Sequence, residues 1–103
     1  MLIQAPYKIN DVISVKLQTG EELVCKLIEE SDTHLKVKTP LTLVMSQQGL
    51  GMQQYMFTTD PDQPVSIAKD KIIVVQKTRK DFSDTYTERT SGLVTAPPNL
   101  QVK

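Results

Sequence analysis

Cysteine and histidine are nearly absent from this chain: Cys25 and His34 are the single examples among 103 residues. One cysteine excludes an internal disulfide and any zinc site built on clustered thiolates. The place of Cys25 in an alternating apolar segment suits a small buried residue in a strand. Glycine is also scarce, with 4 residues, and none forms a phosphate-cradling loop. Neither sign of charge is in excess, since 12 Lys and Arg meet 12 Asp and Glu. A domain that coats nucleic acid non-specifically normally carries a positive surplus, so any such contact here has to come from a local patch. No apolar run is long enough to span a membrane; the uncharged stretch from Thr39 to Thr59 is broken throughout by Thr, Ser, Gln and Gly. No basic-then-apolar leader opens the sequence. These absences lead us to expect a single soluble, cytoplasmic domain without a cofactor.

What is present is strand-like alternation. Ile13, Val15 and Leu17 share one face, with Ser14 and Lys16 on the other, which is the period of a half-buried strand. Gln18-Thr19-Gly20-Glu21 supplies a turn, and Leu23, Cys25 and Leu27 carry the apolar face back. After the polar corner Glu29-Glu30-Ser31-Asp32, one parity runs through Leu35, Val37, Leu41, Leu43 and Met45. A single strand bent near Thr39-Pro40 accounts for that, because a register slip would reverse the face. Gly49-Leu50-Gly51 reads as a hairpin tip, and Asp60-Pro61-Asp62-Gln63-Pro64 as a breaker. Val65 and Ile67 resume extended structure ahead of a polar Lys69-Asp70-Lys71 turn. Ile72-Ile73-Val74-Val75 is apolar on both faces and is expected to be covered on both sides. The spacing predicts an all-β fold: a small, strongly bent, five-stranded antiparallel barrel over residues 1–79. Residues 80–103 are polar and contain Pro97-Pro98, and read as a tail that orders only by docking.

The pair of turn-linked strands followed by a corner reading DTHLKV resembles the first motif of the Sm-like proteins. Leu17 and Gly20 match the strand end and turn, and Asp32, His34 and Leu35 match the corner. Lys36 stands where the family has Asn, and the interval from Gly20 to Asp32 is one residue longer. In SIAKDKIIVV the apolar frame of the second motif is kept by Ile67 and Ile72, while Ala68 and Lys69 replace its Arg and Gly. Lys69 falls on the lysine of the bacterial branch. The resemblance spans residues 11–77, apart from 46–64; other SH3-like barrels share the strand pattern.

The resemblance implies a homo-oligomeric ring of about five to seven copies, formed by edge pairing of the last two strands. It also implies single-stranded RNA, or DNA, near the pore. His34 would then offer a stacking plane, Asp32 would orient the corner through its own side chain, and Lys36 and Lys69 would supply cations. Each residue has an ordinary alternative: a solvent-facing histidine, a turn-forming aspartate, a solvated lysine face. A non-catalytic protein-interaction or assembly module on the same fold therefore stays open beside the nucleic-acid reading. Catalysis is not expected. Ser31, Asp32 and His34 are adjacent corner residues, and a triad needs a base supported from behind and an oxyanion donor.

Overall fold

The computed structural model of the chain describes residues 7–95, with side chains to Ser91. Six strands follow in order: β1 (Val12–Leu17), β2 (Glu22–Glu30), β3 (His34–Ser46), β4 (Gly49–Gln54), β5 (Val65–Ala68) and β6 (Ile72–Lys77). A 3-10 turn, Lys69–Lys71, links β5 to β6, and a helix, α1 (Lys80–Thr95), ends the described chain. All ladders are antiparallel.

The barrel expectation is overturned. The strands form one open sheet in the order β4-β3-β2-β1-β6, with β5 paired to β3 off that path. The reason lies in how β3 is shared. Its first part, His34–Val37, pairs with β5, whereas Leu41–Ser46 pairs with β4. The 3-10 turn then carries the chain straight to the outer side of β1, where β6 pairs. Among the described residues no ladder joins β6 to β4 or to β5, so the sheet keeps two edges. The strand count is also six, because β4 and β5 are separated by the Asp60–Pro64 breaker.

β3 does run through Pro40 as one strand, but its buried face reverses there: Leu35 and Val37 enter the main core, whereas Leu41, opposite Val24, turns to the other side of the sheet. Thr39 takes a left-handed φ of 47°, and the β2–β3 register shifts between Val24 and Lys26 on the partner strand. A left-handed non-glycine residue is costly unless its surroundings hold it; here the Thr39 hydroxyl donates to Pro61 O at 3.1 Å. The hairpin turn falls two residues earlier than expected, at Gln47-Gln48, with the left-handed φ of 111° on Gly49.

Odd-numbered residues of β1 and β2 build the main core as their alternation requires. Ile13, Val15, Leu23, Leu27, Leu35 and Val37 are fully buried together. Cys25 lies among them, and burial pushes its thiol up to about 12, so it is neither a nucleophile nor a metal ligand at neutral pH. The opposite face holds a smaller cluster of Val24, Leu41, Met52 and Tyr86.

Tyr86 belongs to α1, which stands where a polar tail was expected. The helix begins with Arg79 and Lys80 reaching Asp81 and Asp84. Its composition is rich in Ser and Thr, which are indifferent helix formers, so docking rather than propensity holds it. Phe82 and Tyr86, spaced i to i+4, supply the apolar contact. The remainder of the expected tail, 96–103, lies outside the described residues. No helix is long and apolar enough to cross a membrane among the described residues.

The expectation for β6 also needs correction. Ile72 and Val75 pack on the main core, but Ile73 is 62% exposed and Val74 45% exposed. A register shift between Lys16 and Leu17 leaves Ile73 without an opposite residue on β1. One copy of the chain therefore covers only part of this strand.

Candidate functional site

The corner between β2 and β3 is held by Ser31. Its hydroxyl oxygen accepts from the amides of Thr33 at 3.3 Å and His34 at 3.1 Å, and its own amide donates to His34 O at 2.9 Å. This is a serine turn, so Ser31 performs the backbone role expected of Asp32. The β3–β5 ladder then sets His34 opposite Ala68, and the Lys69 amide donates to Thr33 O at 2.8 Å. Asp32, His34, Lys36 and Lys69 are thus brought to one corner, although 35 residues of chain separate His34 from Lys69.

The electrostatics of that corner differ from a positive patch. Lys69 Nζ lies 2.7 Å from Glu30 Oε2, and Lys36 Nζ lies 3.4 Å from Glu29 Oε1. The hydrogen bond to Glu30 raises the Lys69 pKa, helped by the charges of Glu30, Tyr7 and Asp32. Tyr7 donates to the same Glu30 carboxylate at 3.4 Å. Burial, then the charge of Glu30, pushes the Tyr7 phenol up. Two ammonium groups therefore face three carboxylates, those of Glu29, Glu30 and Asp32. The glutamates were visible as a polar corner in the sequence, but their cross-strand pairing with the lysines depends on register.

His34 is exposed, and its Nδ1 is 2.9 Å from the Thr33 hydroxyl. It borders a shallow cleft of about 290 Å³ together with Glu29, Ser31, Lys36 and Ser66. The ring is free to receive a planar group. Ser31 Oγ lies against the His34 carbonyl at 3.4 Å and not against its ring, which leaves no serine–histidine relay in the corner. Among the described residues no three of His, Cys, Asp and Glu converge to hold a metal ion.

A second feature, not singled out in the sequence, is the pair of open sheet edges. In an antiparallel ladder, alternate residues turn their N–H and C=O groups toward or away from the partner strand. The Tyr55 amide donates to Pro40 O at 3.1 Å, one step beyond the pair Leu41–Gln54. That fixes the phase: the backbone groups of Leu50, Met52 and Gln54 point away from β3. Likewise Thr78 N–H donates to Val12 O at 3.0 Å, which turns those of Val75 and Lys77 away from β1. The β4 edge is not bare, since Arg89 of α1 donates from Nη1 to Met52 O at 3.1 Å. Exposed apolar side chains flank both edges, Ile73 and Val74 on β6, and Met45 and Leu50, 77% and 47% exposed, on the β3–β4 hairpin.

No protein-family model matches the chain, and no curated protein sequence matches it.

Proposed function

We propose that this chain is a non-catalytic assembly module that associates with copies of itself by pairing its β4 edge with the β6 edge of a neighbour. The observation that carries this reading is the exposure of Ile73 and Val74 on a strand whose outward ladder groups have no partner among the described residues. The two edges match in length, six residues each. They lie at opposite ends of one sheet, so joining them continues the sheet, satisfies the outward groups and covers apolar side chains. Such a contact is heterologous, and its repetition closes a ring when the rotation permits. A ring of about five to seven copies is the form that the Sm-like resemblance implies. A lone buried thiol suits the cytoplasm, where it stays reduced. Light scattering at micromolar concentration tests the proposal: a mass several times the 11.6 kDa of one chain is the expected result, and a monomer overturns it.

The exposed His34 ring beside Lys36 in one cleft favours a second reading, in which the corner holds single-stranded RNA or DNA and assembly repeats that corner around an axis. Fluorescence polarisation with oligo-U, oligo-A and oligo-dT in low salt separates the two. On this reading His34→Ala costs about 1–3 kcal/mol per occupied site, the range of a lost stacking platform. Lys69→Ala acts differently: it removes a cation and releases Glu30, so affinity falls and the salt dependence flattens. Absence of binding by the parent chain, or mutants that bind like it, removes the nucleic acid and leaves the assembly module.

A further inference from the structure

Strands β2 and β3 set two lysines directly opposite each other, Lys26 against Lys38. Opposed residues of an antiparallel pair leave the same face with Cβ atoms about 4.5–5.5 Å apart, and like charges in that position destabilise the ladder. The neighbouring cations avoid the penalty: Lys36 has Glu29 and Lys69 has Glu30. Lys26 and Lys38 form no ion pair among the described residues.

These lysines line a pocket of about 310 Å³ where α1 meets the sheet. Val12 and Thr39 complete its sheet side, and Tyr86, Thr87, Thr90 and Ser91 form the helix side, so no carboxylate lines it. The hydroxyl protons of Thr39 and Thr90 are committed to Pro61 O and to backbone oxygens of α1. The Thr87 hydroxyl has no partner among the described residues and remains a donor. The pocket thus presents two uncompensated ammonium groups and a hydroxyl, and its volume exceeds that of a simple anion.

From this we infer that the Lys26–Lys38 pocket beside α1 binds the phosphate monoester of a small phosphorylated molecule. A phosphate monoester, with nearly two negative charges and three acceptor oxygens, neutralises both lysines at once. A carboxylate would leave one of them uncompensated. The ammonium groups act as point charges, Thr87 adds a directional hydrogen bond, and Val12 with the edge of Tyr86 borders the remainder of the ligand. The inference is independent of edge assembly and of the His34 corner.

An NMR titration of the full chain in low salt, with inorganic phosphate, then a nucleoside monophosphate, then oligo-dT, tests it. Phosphate is expected to shift the amides of Lys26, Lys38, Thr87 and Thr90 saturably. Affinity should fall roughly tenfold for each lysine removed, the loss expected of one charged hydrogen bond, in K26Q, K38Q and the double variant. H34A should bind phosphate like the parent. The double variant should melt no lower than the parent, since a repulsive pair is gone, which separates a lost site from a lost fold. Tighter binding of the monophosphate than of oligo-dT is the expected order; the reverse order overturns the monoester assignment. Equal shifts in the parent and the double variant, or shifts that do not saturate, overturn the site.

Discussion

Tyr86→Ala is expected to destabilise the domain by about 3–5 kcal/mol, the cost of deleting a large buried aromatic side chain. Tyr86 is 3% exposed and joins α1 to Val24, Leu41 and Met52. Its hydroxyl donates to Lys38 O at 2.7 Å and Thr39 O at 2.9 Å, so it also braces the left-handed turn in β3. A loss of this size is a large share of the ~5–15 kcal/mol that holds a typical domain together. Urea unfolding followed by circular dichroism should show either an earlier midpoint or loss of the helical signal before the sheet. Tyr86→Phe keeps the ring and leaves two carbonyls short of a donor, at about 1–3 kcal/mol. Burial, the largest influence, raises the pKa of this phenol. The folded state therefore holds the proton more tightly than the unfolded chain, and this share of stability is complete below the unfolded value near pH ~10. It declines as pH rises beyond that, toward the folded value. Tyr86→Phe should flatten that alkaline decline. An alanine variant as stable as the parent would mean α1 is not held by this contact.

If the proposed edge pairing holds, breaking either sheet edge should leave the chain a monomer. Leu50→Pro removes an amide that points away from β3, so the β3–β4 ladder loses nothing while an incoming strand loses a donor. It also deletes an exposed apolar side chain beside that edge. On the other edge, Ile73→Lys with Val74→Lys places charge where a neighbour would pack, a device by which natural edge strands stay unpaired. Full burial of such a side chain is worth about 1.5–3 kcal/mol. Given the exposure these two already have in one copy, covering them contributes roughly 2 kcal/mol together, or about thirtyfold in the association constant. Lost charge desolvation and lost backbone pairing add to that. Sedimentation at a fixed concentration should show both variants at 11.6 kDa with unchanged far-ultraviolet spectra. Variants that remain oligomeric would place the contact elsewhere.

Strand positions were legible because alternation is local: Ile13 to Leu17 and Leu23 to Leu27 declare their buried face without knowledge of partners. The continuity of β3 through Pro40 was legible, but the reversal of its buried face was not, because the left-handed Thr39 and the β2–β3 register shift leave no trace in the alternation. Closure was not, because it depends on which strand β6 and β4 meet, and nothing in VSIAKDKIIVVQK specifies that. The helix was missed because Thr, Ser and Asp dominate it. Its one sequence signal, Phe82 followed by Tyr86, is a single i, i+4 pair that gains meaning only with a sheet beneath it. The corner was partly readable. The β3–β5 ladder sets the backbones of His34 and Ala68 opposite each other, next to Lys69, yet Glu29 and Glu30 pair with the lysines through a register that charge counting along the chain does not reveal. The Lys26–Lys38 pair escaped notice for the same reason: 12 residues separate the two in sequence, and only the β2–β3 ladder makes them opposite.

The hydrogen bond from Arg89 to Met52 O makes the two ends of the sheet unequal. A strand arriving at β6 meets open amides and carbonyls, whereas one arriving at β4 must first evict a guanidinium from the carbonyl it seeks. A weakly matched intruder, such as an unfolded segment of another protein, gains too little to do so. On the proposed edge pairing, growth of the sheet therefore has a polarity: β6 presents, and β4 selects.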